Sequence, residues 1–245
     1  MVNNKYQFQS FLQYKGIAHG ISSKVFGSVK KNATNVDREK LALFAKSIGI
    51  TGDIVCMRQI HSANVRVITD NLELRWPETD SLITNKKSLP LAVLTADCLP
   101  VLFYDPKKEI IAAAHAGYKG LLHHVLENTI ERFINDFKSN PKDIIVGIGP
   151  SIERDCYEVG RERIEEFEKT FPEFKNMFTE KSFGKLGIKK FYLDLRNIAR
   201  QCLIKEGILK KNIEVMEICT KCDTNFYSYR RGDTVERFVS VISIA

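Results

Sequence analysis

The stretch that decides the fold reads LAVLTADCLPVLFYDPKKEIIAAAHAGYKG and spans residues 91–120. It contains three apolar runs whose length and composition are typical of buried strands. Polar residues separate the first two runs at Thr95-Ala-Asp-Cys-Leu-Pro100, and His115-Ala-Gly117 ends the third run. Functional side chains are common where a rigid element gives way to a loop. The stretch therefore predicts a buried sheet with Cys98 and His115 at strand ends.

The flanking sequence adds more strands and three helices. Helical periodicity is present at residues 37–48, 121–137 and 194–206. The further predicted strands are 54–60, 65–69, 81–84, 143–148, 213–218, 226–229 and 237–242. The most charged segment, 161–190, predicts surface helix and loop. Because strands and helices do not alternate regularly, we predict an α+β fold with mixed β-sheets flanked by helices, forming one domain over residues 1–245.

Composition narrows the class of protein. With 44% hydrophobic and 27% charged residues, the chain can build a core and remain globular. No apolar run approaches the roughly 18 residues that span a bilayer, and residues 1–10 lack the apolar region of a signal peptide. The net charge of +7 favours anionic ligands, but no aromatic-basic module is present. We therefore expect a cytoplasmic, monomeric protein with a small-molecule ligand and neither a nucleic-acid nor a membrane partner.

Three residues at predicted strand ends suggest metal chemistry. His61 follows an apolar run, as Cys98 and His115 do. Imidazole and thiolate are preferred zinc ligands, and three protein ligands leave a fourth position open. The same residues also suit a cysteine nucleophile with a histidine base. Since the spacings of 37 (61 to 98) and 17 (98 to 115) match no compact zinc motif, the residues alone leave both interpretations open beside a structural one.

Two C-terminal motifs have weaker interpretations. Cys219-Thr-Lys-Cys222 has the spacing of a zinc knuckle, but one pair cannot complete a four-cysteine site. We therefore expect ordinary core or loop cysteines there. Ser228-Tyr-Arg-Arg231 places two arginines beside an aromatic ring, which predicts either a solvated face or contact with a phosphate or a base.

Taken together, these segments resemble the YfiH/LACC1-type family, whose members are labelled polyphenol oxidases or laccases and purine nucleoside phosphorylases. The matching segments are Gln59-Ile-His61, Thr84, Thr95 to Pro100, His115 to Gly120, Gly147 to Ile152, Tyr157 to Gly160, Cys219-Thr220 and Phe226 to Arg231. The resemblance implies that zinc, with copper less favoured, binds His61, Cys98 and His115. It also implies phosphorolysis of adenosine, inosine or methylthioadenosine, with adenosine deamination as a second activity.

In the working hypothesis the three metal ligands His61, Cys98 and His115 are also catalytic residues. Other residues around them have further roles. The other candidates are Asp97 as acid or base, and Gln59, Tyr118, Lys119, Glu158, Arg230 and Arg231 as contacts to substrate or phosphate. Glu158 is a second candidate acid or base. Tyr118 and Lys119 stand where the family usually has Trp and Arg, so Lys119 lacks the bidentate fork of arginine.

Three alternatives stay open at this point. The first is a metal-free cysteine hydrolase or amidase that edits wrongly built cell-wall peptide precursors, with Cys98 as nucleophile. The second is a laccase-like, copper-dependent polyphenol oxidase. The third is a protein that binds nucleotides without catalysis. The chemistry of the site, rather than the fold, must decide among them.

Overall fold

The computed structural model describes residues 5–69, 73–184 and 187–245. Residues 1–4 of the polar N-terminal stretch and residues 185–186 of the charged segment lie outside that description. The strands are β1 Lys5–Tyr6, β2 Ile17–Ser22, β3 Val55–Met57, β4 Val65–Val67, β5 Arg75–Trp76, β6 Ser81–Thr84, β7 Leu91–Thr95, β8 Leu99–Asp105, β9 Ile110–Ala116, β10 Ile145–Ile148, β11 Glu158–Val159, β12 Phe178–Phe183, β13 Ile188–Leu193, β14 Ile213–Val215 and β15 Phe238–Ile244. The helices are α1 Gln9–Leu12, α2 Arg38–Ser47, α3 Tyr118–Leu122, α4 Val125–Phe137, α5 Arg161–Thr170 and α6 Leu195–Lys205. Within these ranges every helix is too short or too polar to cross a bilayer.

Two six-stranded sheets lie at the centre of the described structure. The first has the order β1-β2-β15-β7-β3-β5 and the second β14-β10-β8-β9-β6-β4. Each combines antiparallel pairs with parallel ones, such as β3 with β7 and β4 with β6. A smaller antiparallel sheet has the order β11-β13-β12. The predicted α+β class with mixed sheets and flanking helices is confirmed.

The central strands β8 and β9 are buried along their whole length. Their residues alternate between two apolar clusters, because successive side chains point to opposite faces of a sheet. Leu102 and Ala113 face the first sheet, whereas Val101 and Ala114 pack with residues of α4 and α6. The other face of the first sheet packs against α2. Burial on both faces explains why the sequence of these strands is almost continuously apolar.

The predicted helices are present, with one interruption. Asp37 caps α2 by accepting from the amide of Lys40, and Asp194 caps α6 by accepting from the amide of Asn197. The predicted helix 121–137 is divided, because His124 has a φ of 69° and a left-handed residue does not propagate a right-handed helix. The short α3 that results begins immediately after Gly117.

Two sequence-based expectations were wrong. The segment 161–190 contains the expected surface helix α5, but β12 and β13 form a hairpin where a loop was expected. The residues of β12 are exposed or half-buried, so this strand depends on its ladder hydrogen bonds and carries little apolar pattern.

Residues 226–229 do not form the predicted strand; turns precede a 3-10 helix at Tyr229–Arg231. The Arg231 guanidinium stabilises the turns that lead to this segment, because it binds several of their backbone carbonyl oxygens. It donates to the carbonyl oxygens of Thr220, Lys221, Asp223 and Phe226.

Candidate active site

Cys98 lies at a corner where the chain passes from the first sheet to the second. Strand β7 belongs to one sheet and β8 to the other, and residues 96–98 connect them. Asp97 has a φ of 89°, which non-glycine residues rarely adopt. Its Oδ1 accepts from the hydroxyl of Thr220 at 2.6 Å and its Oδ2 from the amide of Arg230 at 2.7 Å. The carboxylate therefore holds the corner against the C-terminal loop.

A fully buried carboxylate, Asp80, organises both histidines. Its Oδ1 accepts from His115 Nδ1 at 2.8 Å and from the amide of His61 at 3.1 Å. Its Oδ2 accepts from the amides of Ile60 and Ser62 and from the Ser62 hydroxyl. Burial alone would raise the pKa of Asp80, but the hydrogen bonds from His115 and Ser62 hold that pKa below its usual value. This network also supports the left-handed backbone of His61, whose φ is 62°.

The structure brings His61, Cys98 and His115 together. Their potential ligand atoms all lie within 4.8 Å of one another, and His61 Nε2 lies 3.8 Å from Cys98 Sγ. Because Nδ1 of His115 is held by Asp80, its Nε2 is the nitrogen left for a ligand. Two imidazoles and a thiolate match the donor preference of zinc, and three ligands leave one position for a substrate atom. The donor set fits a zinc ion.

Cys98 and His115 shift each other's protonation. Burial opposes ionisation of the thiol, but the charges and hydrogen bonds of His115 and His61 outweigh it and lower the pKa of Cys98 to about 6. Burial likewise opposes the charge on His115, but Cys98 and Asp80 raise the pKa of His115 to about 9. The two histidines therefore favour the thiolate form of Cys98, which is the form that binds metals or attacks electrophiles.

Gly117 is required for the close approach of these ligands. A Cβ there would lie 2.8 Å from both Cys98 Sγ and His61 Cδ2. We expect Gly117→Ala to lower zinc affinity at least about tenfold without unfolding the protein, because the ligands must move apart. Titration with zinc, together with thermal melting, measures both effects. Gly16→Ala is the matched control, since its Cβ would lie 3.6 Å from the Tyr104 hydroxyl; unchanged zinc affinity in Gly117→Ala would contradict the prediction.

Three residues predicted as substrate contacts, Gln59, Glu158 and Arg231, have hydrogen-bond or ion-pair partners within the protein. Gln59 donates from Nε2 to the carbonyl of Leu94 at 2.7 Å and accepts at Oε1 from the Leu94 amide at 3.0 Å. Its side chain therefore ties the loop that carries His61 to β7. Glu158 forms an ion pair with Lys190 at 3.0 Å.

Arg231, the third such residue, donates to the backbone carbonyls described above and pairs with Asp233 at 3.0 Å. With these partners, Arg231 stabilises the C-terminal loop. Arg230, its neighbour in the sequence, is exposed and lies over Tyr157, with its guanidinium carbon 5.0 Å from the ring centre. The two adjacent arginines thus have different surroundings, which the sequence alone did not distinguish.

Two tyrosine rings lie beside the cluster with cations over them, and we call Tyr118, Lys119, Tyr157, Arg163 and Arg230 the rim. Tyr118 follows Gly117 directly, and the guanidinium carbon of Arg163 lies 3.9 Å from its ring centre. Burial, followed by the charge of Cys98, raises the pKa of Tyr157 to about 12, so the phenol keeps its proton. Lys119 is exposed. The rim combines hydrogen-bond donors with flat rings.

Sequence reasoning did not assign roles to Asp80, Tyr157 or Arg163. For Asp80 a signal existed, because a carboxylate directly precedes the apolar strand β6 and must find partners once that strand is buried. Tyr157 stood inside a matching segment but received no role. Arg163 lies on the charged helix α5, where nothing in the spacing distinguishes it from its neighbours.

The fold and the site define the class of protein: an α+β protein with a cluster of two histidines and one cysteine. Cys98 directly precedes β8, His115 lies near the end of β9, and His61 lies in the loop between β3 and β4, beyond the end of its predicted strand. Residues 16–245 match the family model described as multi-copper polyphenol oxidoreductase laccase, and the chain belongs to this family.

Known proteins similar to the chain carry three different names. It is 34% identical over 195 residues to a purine nucleoside phosphorylase of Clostridium acetobutylicum, which covers 78% of this chain and 76% of that one. It is 31% identical over 188 residues to adenosine deaminase RL5 of an unknown prokaryotic organism, covering 73% and 70%. The crystal structure of the hypothetical protein YfiH of Bacillus licheniformis has a TM-score of 0.85 at 27% identity and covers 99% of this chain and 97% of its own. The predicted resemblance to the YfiH-type family is confirmed.

Proposed function

We propose that this protein is a zinc-dependent purine nucleoside phosphorylase in which His61, Cys98 and His115 hold the metal. The observation that carries the proposal is the convergence of these three ligands, fixed by Asp80, beside a rim of cations and aromatic rings. The name of the similar clostridial protein supports the reaction type. We also propose that residues 1–245 act as one cytoplasmic, monomeric domain.

Phosphate would bind to the cationic groups of the rim. Arg163 and Arg230 offer planar guanidinium groups that can donate to two phosphate oxygens, and Lys119 adds a point charge. The carbonyl of Glu158 accepts from Arg230 Nη1 at 2.8 Å and so orients that guanidinium. The arginine that the family pattern would place at position 119 is thus replaced in this proposal by two arginines from other segments.

The purine base would bind to the aromatic residues of the rim. Tyr118 offers a face for stacking, and Tyr157, protonated at neutral pH, donates a hydrogen bond to a ring nitrogen. In the reaction, the bond between C1′ of the ribose and N9 breaks, its electron pair goes to the base, and a phosphate oxygen bonds to C1′. The leaving base takes up the proton that dihydrogen phosphate loses. Zinc, when bound, would supply a Lewis acid that stabilises negative charge as it develops.

Asp97 receives a different role from the one that its position in the sequence suggested. Both of its carboxylate oxygens already accept hydrogen bonds, from Thr220 and from Arg230. We therefore propose that Asp97 positions Cys98 and Arg230 instead of transferring protons. Glu158, paired with Lys190, is likewise proposed to act through the carbonyl that orients Arg230.

The test of the proposal is turnover of inosine, adenosine and methylthioadenosine with and without inorganic phosphate. We expect free base and ribose 1-phosphate in equal amounts, and only when phosphate is present. Arg163→Gln should raise the KM for phosphate about tenfold or more while leaving zinc content unchanged, because it removes a charged donor from the rim. Lys169→Gln, on the exposed face of the same helix, is the matched control. Absence of phosphate-dependent product from all three nucleosides would refute the proposal.

Adenosine deamination is proposed as a second activity of the same site. In that reaction water adds at C6 of the purine and ammonia leaves, so no phosphate is consumed. The name of the similar protein adenosine deaminase RL5 supports it. Formation of inosine and ammonia from adenosine in phosphate-free buffer is the expected result.

One observation favours a second candidate function, a cysteine hydrolase. Asp80, His115 and Cys98 are arranged as an orienting carboxylate, a base and a nucleophile, with 2.8 Å between His115 Nδ1 and Asp80 Oδ1. Such an enzyme would form a thioester between Cys98 and an acyl group, release the amine, and hydrolyse the thioester with water. Removal of zinc by a chelator distinguishes the candidates, because it abolishes phosphorolysis but leaves a thiol nucleophile active.

We propose zinc as the resident metal and not copper. Oxidation by several copper ions needs several imidazole-rich sites. Two of the five histidines lie in this cluster; His19 is buried and accepts from the amide of Phe8, and His124 pairs with Glu127. Elemental analysis of protein purified without added metal decides between the two ions.

A further inference from the structure

A second group of metal-competent side chains lies outside the site described above. Glu153 directly precedes the 3-10 turn Arg154–Cys156, Cys156 is its last residue, and Cys219 and Cys222 lie in the C-terminal loop. The four potential ligand atoms lie within 4.8 Å of one another. Cys156 Sγ is 3.2 Å from Cys222 Sγ, and Glu153 Oε1 is 3.9 Å from both sulfurs. Segments more than sixty residues apart in sequence thus supply one compact donor set.

The backbone places these segments side by side without help from the cysteines. Ser151 and Cys219 form a parallel bridge, in which the Thr220 amide donates to the Ser151 carbonyl at 3.1 Å. The Arg196 guanidinium, itself buried, donates to the carbonyls of Ser151 and Ile218. The four side chains therefore converge on a scaffold that is fixed by hydrogen bonds.

We propose that Glu153, Cys156, Cys219 and Cys222 bind a structural zinc ion. Each segment supplies two ligands three residues apart, which is the spacing of a zinc knuckle. In a tetrahedral site with zinc–sulfur bonds of about 2.3 Å, neighbouring sulfurs are about 3.8 Å apart, between the shortest sulfur separation and the overall span observed here. Since four protein ligands leave no open position, this zinc has a structural role.

A disulfide explains fewer of the four converging side chains than a zinc ion does. Joining Cys156 to Cys222 would leave the buried thiol of Cys219 and the inward-facing carboxylate of Glu153 without a function. Three cysteines cannot pair completely, whereas three thiolates and one carboxylate complete a tetrahedral zinc site. The donor set as a whole therefore favours the metal.

The consequence is a link between this zinc and the rim of the proposed active site. Tyr157 directly follows Cys156, and Thr220 directly follows Cys219 and holds Asp97 through its hydroxyl. Joining the two segments through a metal would fix Tyr157 relative to the corner that carries Cys98. The inference does not depend on the proposed function, because the ligands are different and metal content is measured without turnover.

The experiment counts zinc in full-length protein purified anaerobically under reducing conditions. We expect two zinc ions per chain in the wild type, one in Cys98→Ala, and none in Cys98→Ala combined with Cys222→Ala. Cys98→Ala combined with Cys56→Ala, which removes a buried thiol of β3, is the matched control and should keep one. Absence of zinc from Cys98→Ala would overturn the proposal.

A spectroscopic measurement covers the case in which the double variant does not fold. Cobalt(II) added to the metal-depleted Cys98→Ala protein should give thiolate-to-cobalt charge-transfer absorption, weakened in Cys98→Ala with Cys219→Ser. No such absorption, or a Cys156–Cys222 disulfide in peptides mapped from the anaerobic protein, would overturn the second site. Absence of phosphorolysis in the wild-type protein, with this absorption intact in Cys98→Ala, would instead count against the proposed function alone.

Discussion

Replacing Cys98 with alanine is expected to lower kcat/KM for phosphorolysis by about 1,000-fold or more. The substitution removes one of three ligands, and two imidazoles alone hold zinc weakly. Steady-state kinetics with inosine and phosphate measures the effect, and zinc analysis should show the loss of one ion per chain. The buried Cys56, outside both clusters, provides the control Cys56→Ala.

Cys98→Asp separates a ligand from a nucleophile at the same position. An aspartate oxygen can bind zinc but does not reproduce the attack of a thiolate. We expect Cys98→Asp to retain zinc and measurable phosphorolysis, with Cys98→Ala retaining neither. Equal inactivity of both variants with zinc still bound to Cys98→Asp would show that the thiol itself reacts.

The second large effect is expected from Asp80→Asn. The carboxylate accepts from His115, from three consecutive backbone amides and from the Ser62 hydroxyl, whereas an asparagine would direct an NH₂ group at some of these donors. We expect zinc affinity at the first site to fall by about 10- to 100-fold, because the carboxylate orients the His115 ligand. The free energy of unfolding should fall by roughly 1–3 kcal/mol, because buried donors lose their acceptor.

Zinc titration and chemical denaturation of the same samples measure the two effects. Asp105→Asn is the control, because Asp105 is also a buried carboxylate but lies at the other end of β8 from Cys98. Wild-type zinc affinity in Asp80→Asn would show that the ligand geometry does not depend on this residue. An equal loss of affinity in Asp105→Asn would show that general destabilisation, and not the hydrogen bond to His115, is the cause.

Local sequence was sufficient for the central part of the fold. Strands β7, β8 and β9 were predicted because burial on both faces demands apolar residues throughout. Helices α2 and α6 were predicted from their apolar periodicity, and in the structure an aspartate caps each of them. The hairpin β12–β13 was not, because its exposed first strand has little apolar pattern and is defined by hydrogen bonds to its partner.

The residues of the candidate site also fall into two groups, those that the sequence indicated and those that only the structure revealed. His61, Cys98 and His115 could be selected from sequence because each follows an apolar run, but the spacing alone did not place them together. Gln59 and Arg231 were predicted as substrate contacts on residue type; their backbone partners became visible only in three dimensions. Asp80 directly precedes a predicted strand and could have been noticed in the sequence. Its role could not, because its five hydrogen-bond donors come from two separate segments.

The sequence by itself determined the α+β class, the buried central strands and the choice of three metal-competent residues, because apolar runs and helical periodicity are properties of a few neighbouring residues. Only the tertiary structure decided that these residues converge, that Asp80 holds them, and that Cys219 and Cys222 meet Glu153 and Cys156. The physical reason is that such contacts depend on which strands pair and where the chain passes between the sheets. Strand pairing and the path of the chain between the sheets depend on the packing of the whole core, so no short segment determines them.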